Sequence, residues 1–295
     1  MCKKDNNSQG YIQIQGAKIF YQIHGQGSPI LVLHGGPGLD QTYLHPHLFD
    51  LITDHQLIFY DQRASGKSEQ SVDHYNYINM DQFISDLETV RETLGLETFT
   101  LMGHSWGGFL GMHYAIKHPE HLNGLILLNT VPADYKGQKA FLDTFIERTA
   151  DIADDIAPLF SYEEIQKLNA AEIAELYRKV FAVYFHHSED VKRLNLVFDV
   201  TAASSGVKVN EEMAKTAWLT PGVDLFPDLK KLTVPSLIIH GKQDIVPVPT
   251  VEDIHSAIEG SKLVVLENCG HFSYIERPRE IKNEINHFVN SVRPI

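Results

Sequence analysis

The stretch Phe99-Thr100-Leu101-Met102-Gly103-His104-Ser105-Trp106-Gly107-Gly108 decides how the chain folds. Its first four residues are a β-type apolar run, and residues 106–117 read as a helix that stops ahead of Pro119. Between the two lies a Gly-x-Ser-x-Gly pentapeptide, residues 103–107. A strand, a sharp turn and a helix in that order lift a serine hydroxyl above the end of a sheet. The helix aims its unpaired N–H groups and the positive end of its dipole at that hydroxyl. So tight a turn needs small residues two before and two after the serine, where Gly103 and Gly107 stand.

Working outward, residues 11–14 and 19–23 are β-type runs around Gln15-Gly16 and predict a hairpin. Residues 30–33 and 57–60 predict buried strands. Residues 80–94 predict a helix whose stripe is Phe83, Leu87, Val90 and Leu94. Further strands are expected at 125–128, 236–239 and 262–266, and a closing helix at 281–292. This alternation predicts an α/β fold, a mostly parallel sheet with helices on both faces. The rhythm breaks from 132 to 226, where no strand is expected. Ser161 with Glu164, and Asn169 with Glu172, match the capping box instead. The expected organisation is a disordered polar tail over 1–10, a core formed by 11–131 and 227–295, and an inserted helical cap over 132–226. Such a block covers the strand C-termini, where ligands bind.

A serine is a poor nucleophile until a base takes its proton, and that base must be held in one tautomer. In this strand–serine–helix arrangement the acid and then the base follow the serine, each on a loop after a strand. Asp244 follows residues 236–240 in Gly241-Lys242-Gln243-Asp244, and His271 follows residues 262–266 in Asn268-Cys269-Gly270-His271. The expected triad is therefore Ser105, Asp244 and His271. Asp224 and Asp228 are rivals for the acid but precede their strand. An oxyanion needs two donors. The backbone N–H of Trp106 is one. The other comes from His34-Gly35-Gly36-Pro37-Gly38, directly after a strand, with Gly36 favoured and Gly35 the alternate. His34 reads as a support for that loop and not as a base.

With 43% hydrophobic residues, the 295-residue chain suits one large core plus an insertion. A formal charge of −13 without a Lys/Arg cluster argues against nucleic acid or anionic membrane as a partner. The longest apolar runs are strand-sized, so no transmembrane helix is expected. Cys2 and Cys269 make no disulfide framework. Ligand spacing for a metal and the phosphate-cradle patterns are both missing, so no metal and no cofactor are expected. The opening Met1-Cys2-Lys3-Lys4-Asp5-Asn6-Asn7 is polar. A cytoplasmic enzyme is the default expectation. The alternative is a periplasmic or membrane-anchored lipoprotein, should Cys2 be a lipidated residue behind a missing signal peptide.

Taken together, these residues resemble the α/β-hydrolase fold, and within it the prolyl aminopeptidase (proline iminopeptidase) branch. The resemblance rests on His34-Gly35-Gly36-Pro37-Gly38, on Asp61-Gln62-Arg63-Ala64-Ser65-Gly66-Lys67-Ser68, and on Ser105-Trp106, and it spans nearly the whole chain in motif order. It implies hydrolysis of an unblocked N-terminal residue, often proline, from short peptides or amides, the free amine being held by carboxylates. Glu211 and Glu212 are the cap candidates for that role, although an acidic cap carries many merely solvated carboxylates. The sequence departs from the pattern at Ala64, where glycine is usual, and at Ile245, where some members place an amine-binding Glu. Gly-His-Ser in the elbow is common among esterases. A carboxylesterase or lactonase acting on small acyl substrates is therefore the alternative.

Overall fold

The computed structural model describes residues 7–51, 54–69 and 77–292. Strands β1 (Ser8–Ile14) and β2 (Ala17–Gly25) form the expected hairpin, with Ile14 opposite Ala17 and Gly16 at φ 69 in the turn. The pairing continues to Ser8 opposite Ile23. Residues 8–10 are thus strand and not part of a disordered tail, because the nine-residue β2 offers them backbone partners. Residues 1–6, Cys2 among them, lie outside the described residues.

Six further strands complete the sheet: β3 (Pro29–Leu33), β4 (Gln56–Tyr60), β5 (Phe99–His104), β6 (Leu122–Leu128), β7 (Ser236–Gly241) and β8 (Lys262–Leu266). The spatial order is β1-β2-β4-β3-β5-β6-β7-β8. β2 pairs antiparallel with both β1 and β4, and every other pair is parallel. The chain passes from β3 outward to β4 and then returns to β5 on the other side of β3. That reversal opens a crevice at the C-terminal ends of β3 and β5, where Leu33 pairs with Gly103.

The side-chain alternation of a strand builds a core on each face. Leu31, Leu33, Ile58, Tyr60, Leu101, Leu125 and Leu127 point into one layer, with α2 (Met80–Thr93), α3 (Trp106–Lys117) and α10 (Val248–Ala257). Ile30, Val32, Leu57, Phe59, Met102, Ile126 and Leu128 point into the other, with α1 (His47–Leu51), α11 (Ser273–Glu276) and α12 (Pro278–Ser291). The predicted closing helix is α12, which buries Ile281, Ile285 and Phe288. α3 is buried nearly all round and lies against β5, β3 and β6, with no polar face to spare.

Between β6 and β7 the chain forms α4 (Tyr135–Thr149), α5 (Ala153–Ile156), α6 (Tyr162–Ile165), α7 (Ala170–Ala182), α8 (Val200–Thr216) and α9 (Phe226–Leu229). Their starts follow the capping chemistry of the sequence. Ser161 accepts from Glu164 N at 3.4 Å, and Asn169 with Glu172 forms a full capping box on α7. The insertion is closed at its base by a bridge between Asp134 and Asp224. Among the described residues no helix is long and apolar enough to cross a membrane.

Candidate active site

Ser105 stands at the turn between β5 and α3 with φ 56 and ψ −122, a region L-residues seldom occupy. Its N–H donates to Leu128 O at 3.1 Å, and its own carbonyl accepts from Gly108 N at 2.9 Å. The turn tolerates no Cβ at its flanks. One at Gly103 would lie 2.2 Å from Gly107 O, and one at Gly107 would lie 2.3 Å from Leu33 O. The small residues expected on either side of the serine are therefore required by direct backbone approach.

Asp244 leaves β7 through a turn closed by its own N–H on Gly241 O. Its Oδ1 accepts from His271 Nδ1 at 2.8 Å and from Val246 N at 2.9 Å; its Oδ2 accepts from Asn129 Nδ2 at 2.8 Å. Burial alone would raise this carboxyl. The charges of His271 and His240 and the hydrogen bonds outweigh it and hold the group down at about 2. A carboxylate accepts only, so His271 carries a proton on Nδ1 and turns Nε2 away from Asp244. Asp224 and Asp228, the rival acids, have other work. Asp224 accepts from Phe226 N, and Asp228 pairs with Lys231.

Trp106 N and Gly36 N have no acceptor among the described residues. Gly35 is different, because its N–H donates to the buried Tyr43 hydroxyl at 2.8 Å. The alternate donor expected from the sequence is thereby already spent, and Gly36 remains. Tyr43 in turn lies 2.7 Å from His104 Nδ1, and His104 Nε2 lies 3.1 Å from His271 O. That carbonyl can only accept, which places the His104 proton on Nε2 and lets the tyrosine donate to Nδ1. Burial pushes His104 down to about 3, so this ring is neutral.

The Asp61-Gln62-Arg63 segment explains itself as scaffold. Gln62 donates from Nε2 to His34 O and accepts at Oε1 from Trp106 Nε1, tying the glycine loop to the helix behind Ser105. His34 donates from Nδ1 to Gly35 O and accepts at Nε2 from Gln62 N, a support and not a base. Asp61 accepts from Gln41 N, Gln41 Nε2 and Lys67 N. Arg63 makes a buried bidentate pair with Asp86 of α2 at 2.6 and 2.8 Å.

Ser105 and His271 line one chamber of about 60 Å³ with Gly35, Gly36, Tyr43, His104, Val131 and Phe272. Leu39, Phe141, Phe181, Tyr184 and Trp218 also line it, and they recur in a wider pocket of about 460 Å³ under the helical insertion. Glu211 is the one carboxylate among the described residues that line that pocket, and its Oε2 meets Lys208 Nζ at 2.7 Å. Glu212 does not line the pocket and pairs with Lys215. Val207, Asn210, Glu211 and Ala214 share the inward face of α8, and Glu212 lies about 100° off it, as a helical repeat of 3.6 dictates.

Sequence reasoning missed Asn129 and Ser273. Asn129 sits in left-handed geometry (φ 47) after β6, donates to Asp244 Oδ2 and to Gly270 O, and accepts from Ser273 Oγ. A polar residue directly past the C-terminal end of a central strand is the signal that could have found it. Missed as well was a grouping of Glu88, His118 and His121, whose ligand atoms lie within 4.8 Å of one another. Its carboxylate is already taken by Arg91 and the Tyr114 hydroxyl. Cys269 is buried and unpaired.

Residues 28–278 match the family model described as the alpha/beta hydrolase fold. The chain belongs to the α/β-hydrolase family. Within this family it is 30% identical to a proline iminopeptidase of Saccharolobus solfataricus, over 97% of this chain and 94% of the relative. It is 28% identical to the proline iminopeptidase of Heyndrickxia coagulans, over 97% and 99%. Among solved α/β-hydrolases, a thermophilic esterase from Thermogutta terrifontis with malate bound superposes with a TM-score of 0.71. That pair is 21% identical and covers 97% of this chain and 100% of the esterase.

Proposed function

We propose that this α/β-hydrolase is a serine aminopeptidase that releases an N-terminal residue, of the proline type, from short peptides through an acyl-enzyme. The observation that carries the serine chemistry is that Ser105 at its strained turn, Gly36, and His271 paired with Asp244 at 2.8 Å line one chamber, with the N–H of Trp106 directly after Ser105 at the start of α3. His271 takes the Ser105 proton on Nε2 as the hydroxyl oxygen attacks the carbonyl carbon. The oxyanion accepts from Gly36 and Trp106 N–H. The imidazolium, held by Asp244, passes its proton to the leaving amine as the C–N bond breaks. Water, deprotonated by the same ring, then attacks the ester and returns Ser105.

For the substrate, support comes from the pairing of His-Gly-Gly-Pro-Gly with Asp-Gln-Arg, from the proline iminopeptidases among the relatives, and from Glu211 in the pocket lining. Glu211 is the anchor for the substrate ammonium, which replaces the Lys208 ammonium it now holds. The rest of residues 132–226 acts as the cap that walls the pocket.

A second reading, a carboxylesterase or lactonase, is favoured by one specific observation. Among the described residues no carboxylate lines the chamber beside Ser105, where an amine clamp would be expected, and the residue after Asp244 is the fully buried Ile245. An apolar acyl group fits such a chamber without help.

The nucleophile is tested by treating the protein with a fluorophosphonate and mapping the adduct by peptide mass spectrometry. The adduct is expected on Ser105, and a protein that stays unlabelled would remove the serine mechanism for either substrate.

A further inference from the structure

The loop that carries His271 is not held by its own strand end alone. Glu276, the last residue of α11, accepts at Oε2 from the Gly270 N–H at 2.8 Å, one residue before the base. Its Oε1 accepts from the His186 N–H at 2.8 Å, in the segment that follows α7 of the helical insertion. The same segment meets the base directly, since the His271 N–H donates to Tyr184 O at 2.8 Å. On the acid side, Arg148 of α4 donates to Val183 O, Gln243 O and Asp244 O at 3.0–3.2 Å. One short piece of the insertion, residues 183–186, is thereby bonded to the base loop directly and linked to the acid loop through Arg148.

The Glu276 carboxylate ties the base loop to the insertion with a separate oxygen for each, Oε2 for Gly270 and Oε1 for His186. Each oxygen ends on a backbone N–H, and charge-assisted bonds of that kind are short and directional. Burial raises the Glu276 carboxyl above the usual carboxylate range, and the His186 and Gly270 N–H groups oppose that rise by favouring the charge. A carboxylate half-hidden in that way and spent wholly on two loop amides has no surface purpose.

We propose that Glu276 is a positioning residue: its carboxylate fixes the His271 loop against the cap, so that the orientation of the base depends on the seating of residues 183–186. It rests on the reading of His271 as the base. Glu276 touches no reacting atom and acts only through Gly270 and His271. A displaced base loses rate more than binding, because misplacement by about 1 Å is enough to remove about 100-fold in turnover.

The test uses the full chain, the variant Glu276→Gln and a fluorophosphonate as the probe, with the saturable rate constant kinact and the half-saturation KI of Ser105 labelling measured apart. An amide offers one acceptor and turns an N–H₂ toward the second backbone donor, so half of the clamp is lost. The expected result is a kinact lowered about 10- to 100-fold, with KI within about twofold and thermal unfolding shifted by only a few degrees. Glu276→Asp keeps the charge but is one methylene too short to span both amides, and it lowers kinact as well; it decides the matter should Glu276→Gln not fold. Labelling by folded variants at the wild-type kinact would overturn the proposal. A wild-type protein that labels nowhere at Ser105 overturns the serine reading instead, which the two measurements keep apart.

Discussion

The Gly35 N–H ends on the Tyr43 hydroxyl at 2.8 Å, and that bond selects which glycine of the loop can stabilise an oxyanion. Gly36, at φ 132, has no acceptor for its N–H among the described residues, and a Cβ there would lie 2.6 Å from Gly38 N. Gly36→Ala is therefore expected to lower kcat about 100- to 1,000-fold. Tyr43→Phe should destabilise by about 1–3 kcal/mol, since it leaves the Gly35 N–H and His104 Nδ1 buried without partners. Steady-state kinetics and urea unfolding check the two. A Gly36→Ala enzyme of normal turnover would hand the oxyanion to other donors.

Ser105 holds φ 56 for the sake of its hydroxyl. Both Ser105→Ala and Ser105→Gly should lose about four to six orders of magnitude in turnover without unfolding. Only glycine relieves the backbone, so Ser105→Gly should melt above Ser105→Ala by a few degrees. Calorimetry on the pure variants reads this directly. Equal melting points would mean that the turn stores no strain.

Acid should destabilise the protein by forcing a charge onto its buried histidines. Burial pushes His34 down to about 4 and His104 down to about 3, against an ordinary value of 6.5. Both rings bind protons more weakly when folded. The stability they contribute is complete above about pH 6.5 and is lost as pH falls through 6.5 toward 4 and 3. At pH 4 the loss is about 3 kcal/mol for His34 alone, against a total stability of about 5–15 kcal/mol. Asp244, held at about 2, removes more only below about pH 4. The melting temperature should drop steadily from pH 7 to pH 4.5, and a flat profile over that range would contradict the neutral buried rings.

The Arg63–Asp86 pair is 1–3% exposed on either side. Asp86→Asn strands a buried guanidinium and should destabilise by about 3–5 kcal/mol. The double variant Arg63→Met with Asp86→Leu should unfold at a higher denaturant concentration than either single change, because no orphan charge remains. Denaturant midpoints measured across the cycle show whether Asp-Gln-Arg is a scaffold, as its contacts indicate.

The fold was legible where local pattern and backbone demand agree. The apolar run before Ser105, the glycines beside it and the helix behind it each point to the same turn. The order of Asp244 and His271 followed from the strands that precede them. What stayed hidden depends on distant chain segments meeting. Asn129 reaches Asp244 across 115 residues and Ser273 reaches Asn129 across 144, and no local pattern names either partner. Tyr43 claims the Gly35 N–H only because the turn Gln41–Leu44 folds back over the glycine loop. Glu211 and Glu212 are neighbours in sequence, and only the rotation of α8 tells them apart. The start of β1 at Ser8 was hidden for a similar reason, because its polar residues owe their strand geometry to backbone pairing with β2 and not to an apolar pattern.

On the proposed function, Ser105 serves an enzyme that reads a free N-terminal amine. Initial rates on prolyl-p-nitroanilide, its N-acetylated form and p-nitrophenyl butyrate, with Ser105→Ala as the blank, test it most directly. The account predicts rapid release from the free prolyl substrate, lost on acetylation and absent in the blank. Turnover of the butyrate with neither anilide cleaved would contradict it and leave an esterase.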